Sequence, residues 1–586
     1  MLPIAVQSVQ ASVLSGSGVV QERSSYSVVC AQLIVVNHGP RDTALQNHTG
    51  PDLGGRRYPD VSTELTLIAL VLGSLAVTAL CRRYGLPAPL VLVVAGLLAS
   101  LAPGVVEVTF DPNVVMLLVL TPLLYSAGLG SSYAGIRANL RPIGLLAIGL
   151  VAFTTVVVGF VAWWVVPGLT LPAGLVLGAI VAPPDAVSAL TVGRRLGLPR
   201  RLMTILNGES LGNDATALTL FRVFVAVAAG TGATVLGGVG MFVLAAVGGV
   251  VVGFVVGWVV HRVRRKLDDP QVESALGLVV PFGVYLLAES LHSSGVLAVV
   301  VAGIYLGYRS PESGYATRLQ DQAVWQASDT ILESVVFALI GLQFLAVVRE
   351  AGAGLDLIGY GLVVTAAAVL ARPVWVFPAT YVPRALFRGI RKNDPYPPWQ
   401  VPAVISWTGM RGVVTLAAAF VIPPTVPERE TLVFLAFFVT VATLLLHGLT
   451  LPMVIRLLGV EETPTITDVL AEAQAQQAAA QAGIARLNEL TANESEDSPA
   501  GHAAMKLRHM TQMRANSAWE QLGRPEAETG EAPSTVYRRL RREMLRTSRS
   551  EFVARRDAGE IDDEVLRRVM RELDLEEATL DRDAAE

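Results

Sequence analysis

Charge is what this sequence has least of for its length. Only 16% of its 586 residues are Asp, Glu, Lys or Arg, where a soluble domain carries about a quarter. Cysteine is nearly absent. Cys30 and Cys81 are the whole complement, with neither metal spacing nor a disulfide framework. A Walker loop, a dinucleotide fingerprint and a metal-ligand cluster are also missing. These absences argue against an ATP-driven pump and against an enzyme, and no cofactor is expected. The net charge of −4 points to no partner, and no nucleic-acid binding is expected.

Apolar sequence fills the space that charge leaves. Hydrophobic residues make up 52% of the chain and the mean hydropathy is +0.52. About 20 residues of helix span a bilayer's hydrocarbon layer. Thirteen apolar runs qualify as candidate spans: 64–81, 88–103, 113–129, 141–166, 171–190, 206–230, 234–260, 275–292, 294–308, 327–347, 356–381, 401–422 and 431–456. The expected fold class is an all-α polytopic membrane protein with about 13 transmembrane helices.

Orientation follows from Lys and Arg in the short loops. One set of alternate loops carries eighteen basic residues, from Arg82 and Arg83 through Arg194, Arg195, Arg200 and Arg201 to Arg384, Arg388, Arg391 and Lys392. The other set carries Arg349 and Arg429 alone. This bias predicts an N-terminus outside, a C-terminus in the cytoplasm, and a multi-pass protein of the cell (plasma or inner) membrane. Residues 1–60 read as an N-terminal extension expected to be disordered, residues 61–458 as the membrane domain, and residues 459–586 as a helical cytoplasmic tail. The extension has no standard signal peptide, and its Asn47-His48-Thr49 sequon reads as chance. In the tail, TITDVLAEAQAQQAAAQAGIARLNEL looks helical, a Ser/Glu/Pro-containing linker follows, and a second helical block runs from about Thr535 to Leu580. Self-association or another tail partner is expected there.

Charges inside the spans carry the functional signal. An Asp at the bilayer centre costs about 2.5–3.5 kcal/mol on insertion scales, so such residues mark ion paths or proton relays. VAPPDAVSAL (181–190) holds consecutive prolines in mid-span beside Asp185. Pro183 and Pro184 lack the N–H groups that the Ala179 and Ile180 carbonyls would take in a helix. Irregular backbone at membrane depth survives only when buried in protein or lining a watery cavity. LNGESLGNDATALTLF (206–221) places Glu209 with Asn213, and Ser210 with Asp214, at i,i+4 on adjoining strips of one helix. Asp214 and Ser210 offer the hard oxygens that a small cation needs; a capping or interhelical hydrogen-bond network is the alternative. SWTGMRGVVTLAAAF (406–420) sets Arg411 between Gly409 and Gly412 inside a later span. Two interrupted helices in corresponding positions point to inverted repeats around a site at the midplane. Arg372 and Glu333 are further charges in spans, so buried pairing among Arg372, Glu209, Glu333 and Asp185 is expected. Glu289 and His292 near an outer span end suit a solvated or gating role. Gly249, Gly253 and Gly257 read as a helix-packing seam.

At these residues the chain resembles the cation:proton antiporter superfamily, in the sodium/proton exchanger branch with an Asn-Asp motif. The resemblance runs from about residue 62 to 458. It is carried by PLLYSAGL (122–129), GAIVAPPDAVSA (178–189), LNGESLGNDATAL (206–218), SGVLAVVVAGIYLG (294–307), VFALIGLQ (336–343), ARPVWVF (371–377) and GMRGVVTLAAA (409–419). It implies a homodimer whose core domain moves against a dimer domain. Asp214 would bind cation or proton with Asn213 as motif partner, Ser210 would be a further ligand, and Asp185 would lie where the broken helices cross. Glu209 would pair with a helix arginine, Arg372 ahead of Arg411. Two departures bear on ion choice. Pro184-Asp185-Ala186 stands where many relatives have Thr-Asp-Pro, which leaves the Pro184 carbonyl as a ligand in place of a hydroxyl. Tyr125-Ser126 stands where some have a glutamate, which leaves sodium against potassium or lithium open.

The mechanism expected is competition. One carboxylate, Asp214, holds a proton or a monovalent cation but not both, and the carrier exposes it to alternate sides. With Asn213 unable to titrate, the resemblance implies one-for-one, electroneutral exchange. The alternatives are a cation channel and a membrane-embedded sensor signalling through the tail.

Overall fold

A computed structural model of the chain describes residues 61–102, 116–230, 235–460 apart from 268 and 353, and 466–585 apart from 496, 521–532, 559 and 561–562. The N-terminal extension of residues 1–60 lies outside the described residues. The chain divides into two compact units, Met1–Glu461 and Glu462–Glu586. Every regular element among the described residues is helical.

The first unit is built from helices α1 (Val61–Tyr84), α2 (Ala88–Ser100), α3 (Thr121–Leu129), α4 (Val151–Val165), α5 (Leu171–Val181), α6 (Ala186–Arg195), α7 (Arg200–Ala228), α8 (Val235–Arg264), α9 (Pro270–Ser290), α10 (Gly295–Arg309), α11 (Tyr315–Glu350), α12 (Leu355–Leu386), α13 (Gln400–Trp407), α14 (Val413–Phe420) and α15 (Arg429–Leu458). Wider turns of π-helix, Met116–Leu120 and Leu145–Leu150, run into α3 and α4. Among the described residues, eight helical segments are long and apolar enough to cross a membrane by themselves. That is fewer than the thirteen expected spans, for a physical reason. Ala88–Ser100 and Met116–Leu129 are apolar but short, Gly295–Arg309 has only 15 residues, and the expected spans 171–190 and 401–422 are each split into half-helices.

Both splits follow from local sequence. The Pro183-Pro184 pair ends α5 at Val181, and α6 restarts at Ala186. The Gly409–Gly412 stretch separates α13 from α14. Elsewhere prolines at 281, 373, 378, 383 and 452 lie inside continuous helices, where neighbouring groups take up the freed carbonyls. The glycine seam packs as its spacing suggests: a methyl group on Gly249 would lie 2.7 Å from the Ser294 carbonyl oxygen, and one on Gly253 would collide with the Ala298 carbonyl. α8 therefore lies backbone to backbone on α10.

The second unit holds α16 (Ile466–Leu490), α17 (Pro499–Glu520), α18 (Pro533–Asp557) and α19 (Asp563–Ala585). α16 packs on α17, and α18 on α19. The expected linker after residue 490 is largely helix instead, because Ser498 caps α17 by accepting the Gly501 N–H at 3.0 Å, with Pro499 in its first turn. The block expected from Thr535 to Leu580 is two helices, joined by charged pairs such as Arg549 with Asp574 at 2.6 Å and with Glu577 at 2.8 Å.

Candidate functional site

The two broken helices meet by exchanging the hydrogen bonds that each break frees. In an unbroken helix the Asp185 N–H would donate to the Val181 carbonyl. It donates instead to the Met410 carbonyl at 2.6 Å, across the crossing. The Val181 carbonyl takes the Arg411 Nε at 2.8 Å in return. Arg411 is 1% exposed. Its other guanidinium donors reach the Gly409 carbonyl and, at 3.4 Å, the Ala368 carbonyl, while its backbone N–H donates to Thr443 Oγ1 at 3.3 Å. Its side chain hydrogen-bonds carbonyl oxygens rather than a carboxylate, while its charge interacts with Glu209. It caps a half-helix C-terminus, where a cation is favoured.

Gly412 is required by space. A methyl group there would sit 2.6 Å from Asp185 Cβ and 2.7 Å from its Cγ. The second break thus approaches the first closely enough to seat Asp185 against bare backbone.

The long helix α7 delivers the motif residues to this crossing. Asn213 is fully buried, and its amide donates to the Pro184 carbonyl at 3.0 Å. That bond ties α7 to the first break, and it occupies one lone pair of the carbonyl proposed as a ligand. Asn213 Oδ1 is buried without a hydrogen-bond partner. Asp214, one residue on, is 6% exposed. Its carboxylate makes no hydrogen bond or ion pair among the described residues, and it lies near enough to Asp185 for their charges to interact. Ser210 is half-buried on the same face one turn earlier, with no hydrogen bond to Asp214. Asp214 and Asp185 thus lie within electrostatic reach of each other, with Ser210 one helical turn before Asp214.

Glu209, one turn before Asn213, is satisfied completely. Arg372 on α12 meets it with two parallel bonds, Nη1 to Oε1 at 2.6 Å and Nη2 to Oε2 at 2.9 Å. The same arginine donates Nε to the Ile405 carbonyl at 2.8 Å and Nη2 to Thr408 Oγ1 at 3.3 Å. Arg372 therefore joins three elements: its own helix, α7 and the first half of the second broken helix.

Further acids face this region from α11. Glu333 interacts electrostatically with Asp185 and with Asp329. Asp329 accepts the Ser126 hydroxyl at 2.6 Å, and its other oxygen is buried without a partner. Asp329 escaped the sequence reading, although its position one turn before Glu333 in QASDTILES was the available signal. His447 escaped it too. It is 1% exposed and packs edge-on against Trp407 at 5.2 Å. Glu289, away from the crossing, pairs with Arg222 at 3.0 Å.

A family model described as "Sodium/hydrogen exchanger, transmembrane" matches residues 67–457, which span both broken helices and the motif helix. The chain belongs to the sodium/hydrogen exchanger family. An uncharacterised sodium/proton exchanger of Mycobacterium tuberculosis is 34% identical over 531 residues, covering 88% of this chain and 96% of that one. The Na(+)/H(+) antiporter ApNhaP of Aphanothece halophytica is 32% identical over 69% of this chain and 75% of that one. A sodium, potassium, lithium and rubidium/proton antiporter of Bacillus subtilis is 31% identical over 67% of this chain and 61% of that one. Among solved structures, the sodium proton antiporter MjNhaP1 of Methanocaldococcus jannaschii has the same fold, with a TM-score of 0.56 at 18% identity over 68% of this exchanger and 99% of that chain. As a family member the exchanger is an all-helical, multi-pass membrane transporter with discontinuous helices.

Proposed function

We propose that this exchanger carries one monovalent cation, sodium before potassium or lithium, against one proton by alternating access, with Asp214 as the shared site. The observation that carries this reading is the state of Asp214: a carboxylate buried beside the crossing with no hydrogen bond or ion pair among the described residues. An uncompensated buried charge costs several kcal/mol, so Asp214 rests only with a proton or a cation in place. Each displaces the other, and that competition couples the two fluxes.

The other residues take supporting parts. Asp185 and Ser210 flank Asp214 as further oxygen donors to the transported ion. Asn213 holds α7 to the first break through the Pro184 carbonyl; being unable to titrate, it leaves the cycle with one proton and no net charge moved. Glu209 and Arg372 brace α7 against α12 and α13, and Arg411 locks the crossing. The exchanger acts as a homodimer in the cell membrane, with its N-terminus outside and its tail, open to a regulatory partner, in the cytoplasm. The loop charges carry that orientation.

Purified protein in sealed proteoliposomes tests the reading. An outward sodium gradient should acidify the lumen, the rate should be unchanged under a potassium–valinomycin voltage clamp, and potassium and lithium should be tried in turn. A current that reverses with imposed voltage would contradict one-for-one exchange.

A further inference from the structure

Away from the crossing, three arginines converge on one carboxylate. Asp394, in the segment after α12, meets Arg141 at 2.8 Å, Arg201 at 2.8 Å and Arg384 at 2.6 Å. Arg201 also donates Nε to Asn139 Oδ1 at 3.0 Å, and Arg384 also donates to the Asp394 and Thr380 carbonyls. The cluster remains short of negative charge. Residues 133–145, 190–205 and 379–402 contain no acid besides Asp394, yet they hold Arg137, Arg194, Arg195, Arg200, Arg388, Arg391 and Lys392 as well. Arg141 Nη1 is buried without a hydrogen-bond partner, a donor without an acceptor.

Two cavities adjoin here and share Arg141, Pro142 and Arg201 in their walls. One, of about 540 Å³, is edged by Asn139, Asn393 and Asp394 beside the two arginines. The other, of about 280 Å³, is lined by apolar side chains including Leu145, Leu146, Ile205, Val376, Val401 and Ile405. Tyr396 lines it too, and Tyr396 and nearby Trp399 are 46% and 57% exposed, the residue types that sit at headgroup level. The basic loops mark this side as cytoplasmic, where the leaflet is anionic and basic pockets between helices take phosphate headgroups.

We propose that these joined cavities bind an anionic phospholipid. Arg141 and Arg201 hold the phosphate, for which guanidinium forks are suited, and part of an acyl chain lies in the apolar cavity. A free phosphate would use the arginines but leave that cavity empty, so the pair of cavities favours a lipid. The site touches the machinery described above at two points. Arg201 and Ile205 belong to α7, and Ile405 is the residue whose carbonyl holds Arg372. A bound lipid therefore clamps the motif helix to the second broken helix.

The test reads binding and not transport, so it stands whatever the transport assays give. The full-length protein in detergent is titrated with dioleoyl phosphatidylglycerol, with dioleoyl phosphatidylcholine or with glycerol phosphate, and its melting midpoint is followed. Phosphatidylglycerol should raise the midpoint, as any ligand of the folded state does, and the other two should not. The shift should be lost in Arg141→Gln/Arg201→Gln and kept in Arg538→Gln/Arg539→Gln, which removes equal charge from the tail. If the first variant fails to fold, Leu145→Trp fills the apolar cavity with the arginines intact and should abolish the shift as well. An equal shift with glycerol phosphate or with phosphatidylcholine would overturn the proposal, and so would a shift that survives Leu145→Trp.

Discussion

Glu209 and Asp214 lie on one helix and are buried nearly alike, at 1% and 6% exposure, yet their surroundings are opposite. Glu209 is gripped by both forks of Arg372. Asp214 has no hydrogen bond or ion pair among the described residues. A paired buried charge is fixed in one state, whereas an unpaired one must take up a counter-charge or a proton. Under the proposed function, the comparison separates brace from cargo site within six residues of sequence. The two buried arginines repeat the lesson: Arg372 balances a carboxylate, while Arg411 gives the Val181 carbonyl the donor that the first break turns away.

The largest expected effect breaks the comparison at Asp214. Asp214→Asn should reduce sodium-driven proton flux to the level of protein-free liposomes, with expression and melting midpoint close to wild type. Flux that persists would remove Asp214 from the site. The opposite pattern is expected at the brace. Glu209→Ala or Arg372→Ala leaves a buried charge alone, a loss of roughly 3–5 kcal/mol, seen as poor yield and a lowered melting midpoint. The swap Glu209→Arg with Arg372→Glu should recover part of that loss; no recovery would mean that the bidentate geometry does not carry the stability.

A smaller effect is expected at Gly412. In Gly412→Ala the new methyl group meets Asp185 Cβ at 2.6 Å, and such overpacking costs about 1–3 kcal/mol. Exchange should slow while the protein still folds; wild-type rates would show that the crossing relaxes freely.

The smallest effect concerns the Asp394 cluster. Burial acts to raise the Asp394 carboxyl, but hydrogen bonds and charge from Arg201 and Arg384 outweigh it and hold it below the usual carboxylate range. A depressed carboxyl stabilises the fold fully above its unfolded value of about 3.9 and loses that contribution as pH falls through the folded value. The Asp394→Asn protein should therefore be less stable than wild type at neutral pH, and the gap should close only in acid below about pH 4. A gap that closes between pH 6 and 8 would contradict this.

Much of the core was legible because charge in an apolar run is rare and because proline and glycine announce a break. Asp185, Glu209, Asp214, Arg372 and Arg411 could all be picked from the sequence on that ground. What each side chain bonds to was less legible. The partner of Arg411 is a carbonyl 230 residues away, and a backbone acceptor leaves no mark in side-chain composition. Asp394 looked like an ordinary loop residue, since its arginines at 141 and 201 are 253 and 193 residues distant. α17 was hidden because Ser498-Pro499 serves equally to open a helix or to continue a linker.

Competition at Asp214 is tested most directly by the apparent KM for sodium, measured in proteoliposomes at a series of pH values with equal pH on both sides. If proton and cation share one carboxylate, KM rises by about tenfold per pH unit on the acid side, while the maximal rate at saturating sodium changes far less. A KM that is flat with pH, with the rate alone falling in acid, would mean that the two ions occupy separate sites.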